Sequence, residues 1–242
     1  MDSERELRVS RREEDHAWLA LKSEIEKTVS LVTSPLTLGE HDFDWYRVAN
    51  PERLLELAVE DGKGSAAERD PFWAATWRAA IGLDRFLACL ELKDVRVLEL
   101  GCGSGQAGVA AAMRGALVTL TDVVPLALQV AELNAWGIAP NVEFRKLPWA
   151  TGKLACPAYP IIIGSDLVYD PQLFPSLQRC AREHLANGGR MYLSEPHRHT
   201  GDRFLEWIRQ SNWHVECTDV DLQDGRIPIR VFTCWLGEFA TS

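Results

Sequence analysis

The amino-acid sequence predicts an α/β fold: a seven-stranded, mostly parallel sheet with helices on both faces and an antiparallel hairpin at its C-terminal end. From Val95 onward, short apolar runs rich in β-branched residues alternate with helical patterns. Such alternation is typical of parallel strands joined by right-handed crossovers. The last two runs, 213–220 and 227–236, are separated only by a short polar turn, so they can pair only as an antiparallel hairpin.

The individual elements follow in order along residues 70–242, which we interpret as one domain. The earlier strands are predicted over 95–100, 116–122, 142–145, 159–165 and 189–194, with helices over about 76–90, 106–114, 125–136 and 172–186. Asn187-Gly188-Gly189 is a candidate stop for the last of these helices. A further helix precedes the C-terminal hairpin, with Thr200 as its candidate N-cap.

Residues 1–69 are predicted to form a helical and hairpin extension. Apolar residues at helical spacing indicate an amphipathic helix from Glu13 to about Val29. Residues 34–49 alternate loosely around a turn-prone GEHD, which is typical of a hairpin or two short strands. A brief helix over 51–59 and a polar surface loop over 61–70 complete the extension.

Composition limits the class of partner. The 242 residues carry a formal net charge of −9, which argues against a nucleic-acid partner because nonspecific binding depends on Lys and Arg neutralising phosphates. Six scattered cysteines without a CxxC pair are typical of free thiols in a reducing compartment. The sequence shows no signal-peptide pattern and no run of roughly 18 apolar residues for a membrane helix. We therefore expect a cytoplasmic protein without a membrane partner, in an oligomeric state that the sequence leaves open.

The stretch VRVLELGCGSG, Val95–Gly105, is the strongest candidate for a ligand site. A short buried strand carries one acid, Glu99, and then turns through Gly101, Gly103 and Gly105 into a helix. Glycines accept a positive φ and let a ligand lie directly against the backbone. The order of strand, glycine turn and helix therefore predicts a nucleotide-type site.

Two ligands compete for this turn. Gly103, Gly105 and Gly108 also spell the dinucleotide fingerprint GxGxxG, and Asp122 ends the next strand, where an acid can bind ribose hydroxyls. The longer pattern ExGxGxG, however, places Glu99 inside the strand end. A buried acid is costly unless it meets a cation such as the ammonium of an amino-acid moiety, and it would repel a pyrophosphate. Glu99 therefore favours S-adenosylmethionine over NAD.

The ExGxGxG turn, Asp122 and the C-terminal hairpin together resemble the class I, seven-strand methyltransferases, whose Rossmann-like sheet has its last strand inserted antiparallel. Further motifs resemble the family-16 methyltransferases: DPFWAATW over 70–77 is similar to DPYWA…W, Leu147–Trp149 to LxW, and Asp166–Tyr169 to DxxY. This family includes protein lysine methyltransferases. The sequence most resembles the one that modifies the electron-transfer flavoprotein β subunit, although Arg78 stands where that enzyme has proline.

The resemblance implies S-adenosyl-L-methionine as the cofactor and assigns residues to it. The glycine turn would accept its amino-acid end, Glu99 its ammonium through water or other donors, Asp122 its ribose hydroxyls and Trp149 its adenine. Structural roles are the alternatives: the glycines can form an ordinary strand–helix turn, Asp122 can cap the next helix, and Trp149 and the pair Trp73 and Trp77 can be packing residues. The expected cofactor contacts are Trp77, Glu99, Gly101, Gly103, Gly105, Asp122, Trp149 and Asp166.

The resemblance also implies the chemistry: N-methylation, most simply of a protein lysine. Asp166 is expected to position the acceptor amine and Tyr169 to shape its channel, because both follow the fourth strand at the edge where ligands bind in open α/β sheets. Other acceptors, either small molecules or other protein residues, stay open, as does a non-catalytic binding module. His197 and His199 invite a metal interpretation, but we expect a solvated loop there and no metal site.

Overall fold

The structure is a computed structural model and describes residues 16–52, 54 and 71–237. Within these residues the helices are α1 (His16–Glu26), α2 (Arg78–Leu87), α3 (Gln106–Met113), α4 (Pro125–Ala135), α5 (Phe174–His184) and α6 (His199–Arg209). The strands are β1 (Leu31–Leu38), β2 (His41–Val48), β3 (Arg96–Leu100), β4 (Leu117–Asp122), β5 (Val142–Lys146), β6 (Tyr159–Ser165), β7 (Leu185–Glu195), β8 (Trp213–Val220) and β9 (Ile229–Leu236).

The seven-stranded sheet has the order β5-β4-β3-β6-β7-β9-β8. Strands β3 to β7 pair in parallel, whereas β9 pairs antiparallel with both β7 and β8. The predicted fold class and C-terminal hairpin are confirmed. Because β9 lies between β7 and β8, side chains of β9 lie next to the C-terminal end of the parallel strand β7.

Two predicted boundaries were wrong. Strand β7 begins at Leu185, because α5 already ends at His184 and the Asn187-Gly188-Gly189 segment lies inside the strand. The pairing shifts register between Tyr159 and Ile161 of β6, which accommodates these extra residues. Helix α6 begins at His199, before the expected cap Thr200, and the extended residue that precedes it makes no side-chain cap.

Helices cover both faces of the sheet, and successive residues of β3 show the alternation. Val97 packs in a cluster with residues of α2, α3 and α4, whereas Leu98 and Leu100 pack with α5 and α6. A parallel strand buried on both faces needs apolar side chains on both, which explains its continuous hydrophobic run. Glu99 is the exception within this run.

The N-terminal hairpin is confirmed: β1 and β2 pair antiparallel from Leu31–Val48 to Leu38–His41. Its buried Leu38 and Trp45 belong to the same hydrophobic cluster as α2 and α3. The predicted helix over 51–59, except residues 51, 52 and 54, and the loop over 61–70 lie outside the described residues. The division into a 1–69 extension and a 70–242 domain stays a prediction. Within the described ranges, no helix combines the length and apolar character needed to cross a membrane.

Candidate active site

The glycine turn after β3 has the backbone geometry that its sequence requires. Gly101, Gly103 and Gly105 have φ angles of 59°, 53° and 92°, in the left-handed region that side chains disfavour. A Cβ on Gly101 would lie 2.7 Å from Leu167 Cδ2 and 3.2 Å from Trp149 Cζ2. The turn therefore presents bare backbone at the edge of the sheet where the parallel strands end, here called the carboxyl edge.

Glu99 lies behind this turn with its side chain fully buried. The carboxyl group lies against Gly108 of α3, and neither carboxyl oxygen has a hydrogen-bond partner of good geometry among the described residues. Burial raises the pKa of this carboxyl well above its ordinary value; the nearby Gly108 N–H opposes the rise and Asp122 adds to it. A buried acid of this kind would suit a cationic ligand group, and the role of Glu99 toward an ammonium stays a prediction.

Asp122 ends β4 beside the glycine turn. Its Oδ2 accepts a hydrogen bond from Gly103 N at 3.0 Å, and its Oδ1 accepts one from Val124 N at 2.9 Å. The second bond closes a short turn before α4, and that helix has no side-chain cap, so the capping alternative for Asp122 is not what the structure shows. Each carboxylate oxygen can accept more than one hydrogen bond, so the geometry is also compatible with ribose binding.

Asp166 follows β6 in a strained conformation, with φ 56°. Its backbone N–H donates to Ser194 O at 2.8 Å, and its Oδ2 pairs with Arg198 Nη2 at 2.7 Å. The other oxygen, Oδ1, is buried and has no partner among the described residues. Burial raises the pKa of Asp166 to about 6; Arg198 opposes the rise and Glu195 adds to it.

Three aromatic rings that contact one another in a chain are here called the aromatic cluster: Phe72, Trp77 and Tyr169. Phe72 meets Tyr169 edge-on at 5.5 Å and Trp77 edge-on at 6.0 Å between centroids. The Trp77 indole N–H donates to Phe72 O at 2.8 Å, and the Arg198 guanidinium lies 5.4 Å from the Trp77 ring centroid. The structure thus links Trp77 to Asp166 through Arg198, and Trp149 lies against Gly101 of the glycine turn.

Sequence reasoning missed Arg198, which pairs with Asp166. In the loop at 195–201 the sequence pointed only to His197 and His199. Strands β6 and β7 are neighbours, so the residues after each lie side by side, and an arginine after one strand opposite an acid after the other was the available signal. His197 Nε2 instead lies 2.9 Å from Asp219 Oδ1. No cluster of metal-ligating side chains occurs among the residues that the structure describes.

A cavity of about 420 Å³ has Trp77 in its wall. It is lined by Ser34–Leu36 of the N-terminal hairpin, by Gln106 at the start of α3, and by the ion pair between Arg78 and Asp224. Trp77 therefore lines this cavity and also contacts Arg198, the partner of Asp166.

Known structures share this fold. The glycopeptide N-methyltransferase MtfA, in complex with (S)-adenosyl-L-methionine, is 14% identical, with a TM-score of 0.58 over 68% of this chain and 97% of that chain. The ribosomal protein L11 methylase of Lactobacillus delbrueckii subsp. bulgaricus is 17% identical, with a TM-score of 0.54 over 67% of this chain and 80% of that one.

Sequence relatives are closer. Protein N-lysine methyltransferase METTL21A of Danio rerio is 37% identical over 147 residues, 57% of this chain and 67% of that protein. EEF1A lysine methyltransferase 3 of Mus musculus is 29% identical, over 69% of this chain and 73% of its own length. The electron transfer flavoprotein beta subunit lysine methyltransferase of Xenopus laevis is 33% identical, over 53% and 54% respectively. The profile of the lysine methyltransferase family matches residues 54–211, so the chain belongs to that family.

Proposed function

We propose that this protein is an S-adenosylmethionine-dependent N-methyltransferase that acts on lysine side chains of a protein. The observation that carries the proposal is Asp166 Oδ1, a buried carboxylate oxygen without a partner among the described residues, on a side chain that Arg198 links to the aromatic cluster. Because β3 and β6 are neighbours in the sheet, this oxygen lies one strand away from the glycine turn. The family supplies the reaction class.

The residues present fit the cofactor. Glu99 offers a buried carboxyl group suited to an ammonium, and the positive-φ glycine turn offers bare backbone beside it. Asp122 would hold the ribose hydroxyls, Trp149 would cover the adenine, and Trp77 and Asp166 would complete the cofactor contacts. When bound, S-adenosylmethionine supplies a methyl group on a sulfonium.

The chain's own residues would prepare the acceptor. Only a neutral lysine amine has the lone pair needed for an in-line displacement. Asp166 Oδ1 can accept a hydrogen bond from the amine N–H and so orient its lone pair, which is a positioning effect. The rings of Phe72, Trp77 and Tyr169 would exclude water, and desolvation lowers the pKa of a lysine amine. The proton is released to water before transfer, and the thioether leaves uncharged.

The partners and the location follow the sequence expectations. A protein acceptor is proposed, and a nucleic-acid or membrane partner is not expected from the charge and the absence of an apolar run. A cytoplasmic location stays a prediction.

The test is methyl transfer from tritiated S-adenosylmethionine to a cell lysate that lacks the endogenous enzyme. We expect a labelled protein band that yields methyl-lysine after acid hydrolysis. Label confined to small solutes would point to a small-molecule acceptor, and methylation of another residue would reassign the acceptor group. Absence of cofactor binding by calorimetry would indicate a non-catalytic module.

A further inference from the structure

The ion pair between Asp166 and Arg198 joins two loops at the carboxyl edge. Arg198 Nη2 lies 2.7 Å from Asp166 Oδ2, and the Asp166 side chain is buried whereas that of Arg198 is 36% exposed. The pair uses only one carboxylate oxygen, so Oδ1 stays available. Arg198 is thus anchored to a buried acid and is not a solvated surface side chain.

Arg198 is held in place from two sides. Its guanidinium lies over the Trp77 ring, and its backbone N–H donates to Glu195 Oε2 at 2.6 Å. Glu195 is buried, and its Oε1 accepts from Arg230 Nε at 2.6 Å; Arg230 also pairs with Asp202 at 2.7 Å. This ion-pair network at the end of β7 fixes the loop from which Arg198 reaches Asp166.

We infer that Arg198 is a positioning residue that keeps Asp166 ionised and leaves its Oδ1 free to accept the hydrogen bond of a neutral acceptor amine. The inference rests on the proposed function for the identity of the amine. Protonation would turn one carboxylate oxygen of Asp166 into a hydrogen-bond donor and weaken the group as an acceptor for the amine N–H. An unpaired Asp166 carboxylate would favour the ammonium form of lysine, which has no lone pair, whereas the ion pair carries no net charge.

Removing the Arg198 charge therefore has two effects in the same direction. The pKa of Asp166 rises, because burial then acts without the compensating cation. The pKa of the acceptor amine also rises when the carboxylate is ionised, because an uncompensated anion stabilises the ammonium. Besides Arg198, the charged group that acts on Asp166 from a neighbouring element is Glu195 on β7, itself paired with Arg230 of β9. Both effects move the acid limb of the pH–rate profile to higher pH.

The experiment compares wild type with Arg198→Met, which removes the charge, and Arg198→Lys, which keeps it. Arg179→Met is the matched control, since Arg179 lies exposed on α5 and pairs with Glu183. The first readout is the Asp166 pKa in the cofactor-free protein, from carboxyl carbon NMR titration. We expect it to be higher by about 1 or more in Arg198→Met, and close to wild type in Arg198→Lys and in the control.

The second readout is the pH dependence of tritium transfer to the lysate band identified for wild type. We expect its acid limb to move up by a similar amount in Arg198→Met and to return in Arg198→Lys. An unchanged Asp166 pKa in folded Arg198→Met, or an unshifted profile, overturns the inference. If wild type labels no protein, the proposed function fails, and the NMR titration alone then decides whether Arg198 keeps Asp166 ionised.

Discussion

The indole N–H of Trp45 donates a hydrogen bond to Ser104 Oγ at 3.2 Å, which joins the N-terminal hairpin to the glycine turn. Asn134 of α4 completes this junction. Its Oδ1 accepts from Tyr46 N at 2.8 Å, and its Nδ2 donates to Tyr46 O at 3.0 Å and Ser104 O at 3.2 Å. The side chain of Asn134 thus pairs with β2 much as a neighbouring strand would. The hairpin is therefore part of the framework that holds the glycine turn.

Trp45→Phe is expected to weaken cofactor binding. The change removes one buried hydrogen bond while keeping an aromatic ring, which costs about 1 kcal/mol of unfolding free energy. If this hydrogen bond holds the glycine turn in its binding conformation, losing about 1 kcal/mol raises the Kd for S-adenosylmethionine about fivefold, since 1.4 kcal/mol corresponds to a factor of ten. Urea denaturation and calorimetric titration measure the two effects.

Trp235→Phe is the matched control, because Trp235 lies on β9 and stacks on His214, in another part of the sheet. We expect this control to leave the cofactor Kd unchanged. Equal Kd values for Trp45→Phe and wild type would mean that the hairpin supports the fold without shaping the turn.

Gly82→Ala tests the close contact between α2 and β9. Alanine normally stabilises a helix relative to glycine by up to about 1 kcal/mol. Here its Cβ would lie 2.5 Å from Ile229 Cβ, and overpacking of this kind typically costs about 1–3 kcal/mol. We therefore expect a net loss of unfolding free energy of about 1–2 kcal/mol in urea denaturation.

The same substitution in an Ile229→Ala background separates the causes. If overpacking dominates, Gly82→Ala should cost less in that background, because the two γ carbons of Ile229 at 2.5 and 2.7 Å are removed and only the Cβ contact is left. An equal cost in both backgrounds would mean that the contact with Ile229 is not responsible.

The sequence allowed the sheet to be predicted because its strands are continuous apolar runs and its last two strands are joined by a turn too short for a crossover. It also placed Asp166 and Tyr169 at the carboxyl edge, because they follow a strand that runs parallel to β3. The pairing of Asp166 with Arg198 was missed because it joins two loops across neighbouring strands. Likewise, Glu195 and Arg230 pair because β9 inserts beside β7. The residues of either strand alone do not predict the register that brings these two side chains together.

Asp166→Ala is expected to separate acceptor positioning from cofactor binding. If Asp166 orients the amine, turnover should fall by a factor on the order of 100 or more, with little change in the Kd for S-adenosylmethionine. If it serves mainly as a cofactor contact, the Kd should rise instead. Asp219→Ala is the control, because that exposed acid pairs with His197 away from the aromatic cluster. Turnover within about threefold of wild type would contradict the positioning role.

Glu99→Gln tests whether the buried acid behind the glycine turn is present for a cationic ligand. In the folded protein without cofactor, the pKa of Glu99 is raised well above its ordinary value by burial, so the folded state holds a proton that the unfolded chain releases. The unfolding free energy of wild type should therefore fall, relative to Glu99→Gln, as the pH rises above the ordinary glutamate value. The slope is about 1.4 kcal/mol per pH unit until the folded-state pKa is passed. Because Asp166 and other groups titrate in both proteins, the measured quantity is the difference between the two urea-denaturation series.

The cofactor should reverse this pattern. An ammonium near Glu99 favours the ionised carboxylate, so S-adenosylmethionine should stabilise wild type more than Glu99→Gln at neutral pH. S-Adenosylhomocysteine carries the same ammonium without the sulfonium charge, so an equal difference with this ligand assigns the effect to the amino-acid end. Parallel pH curves without cofactor would show that Glu99 is satisfied by the protein itself, and equal stabilisation of both proteins would remove Glu99 from the cofactor contacts.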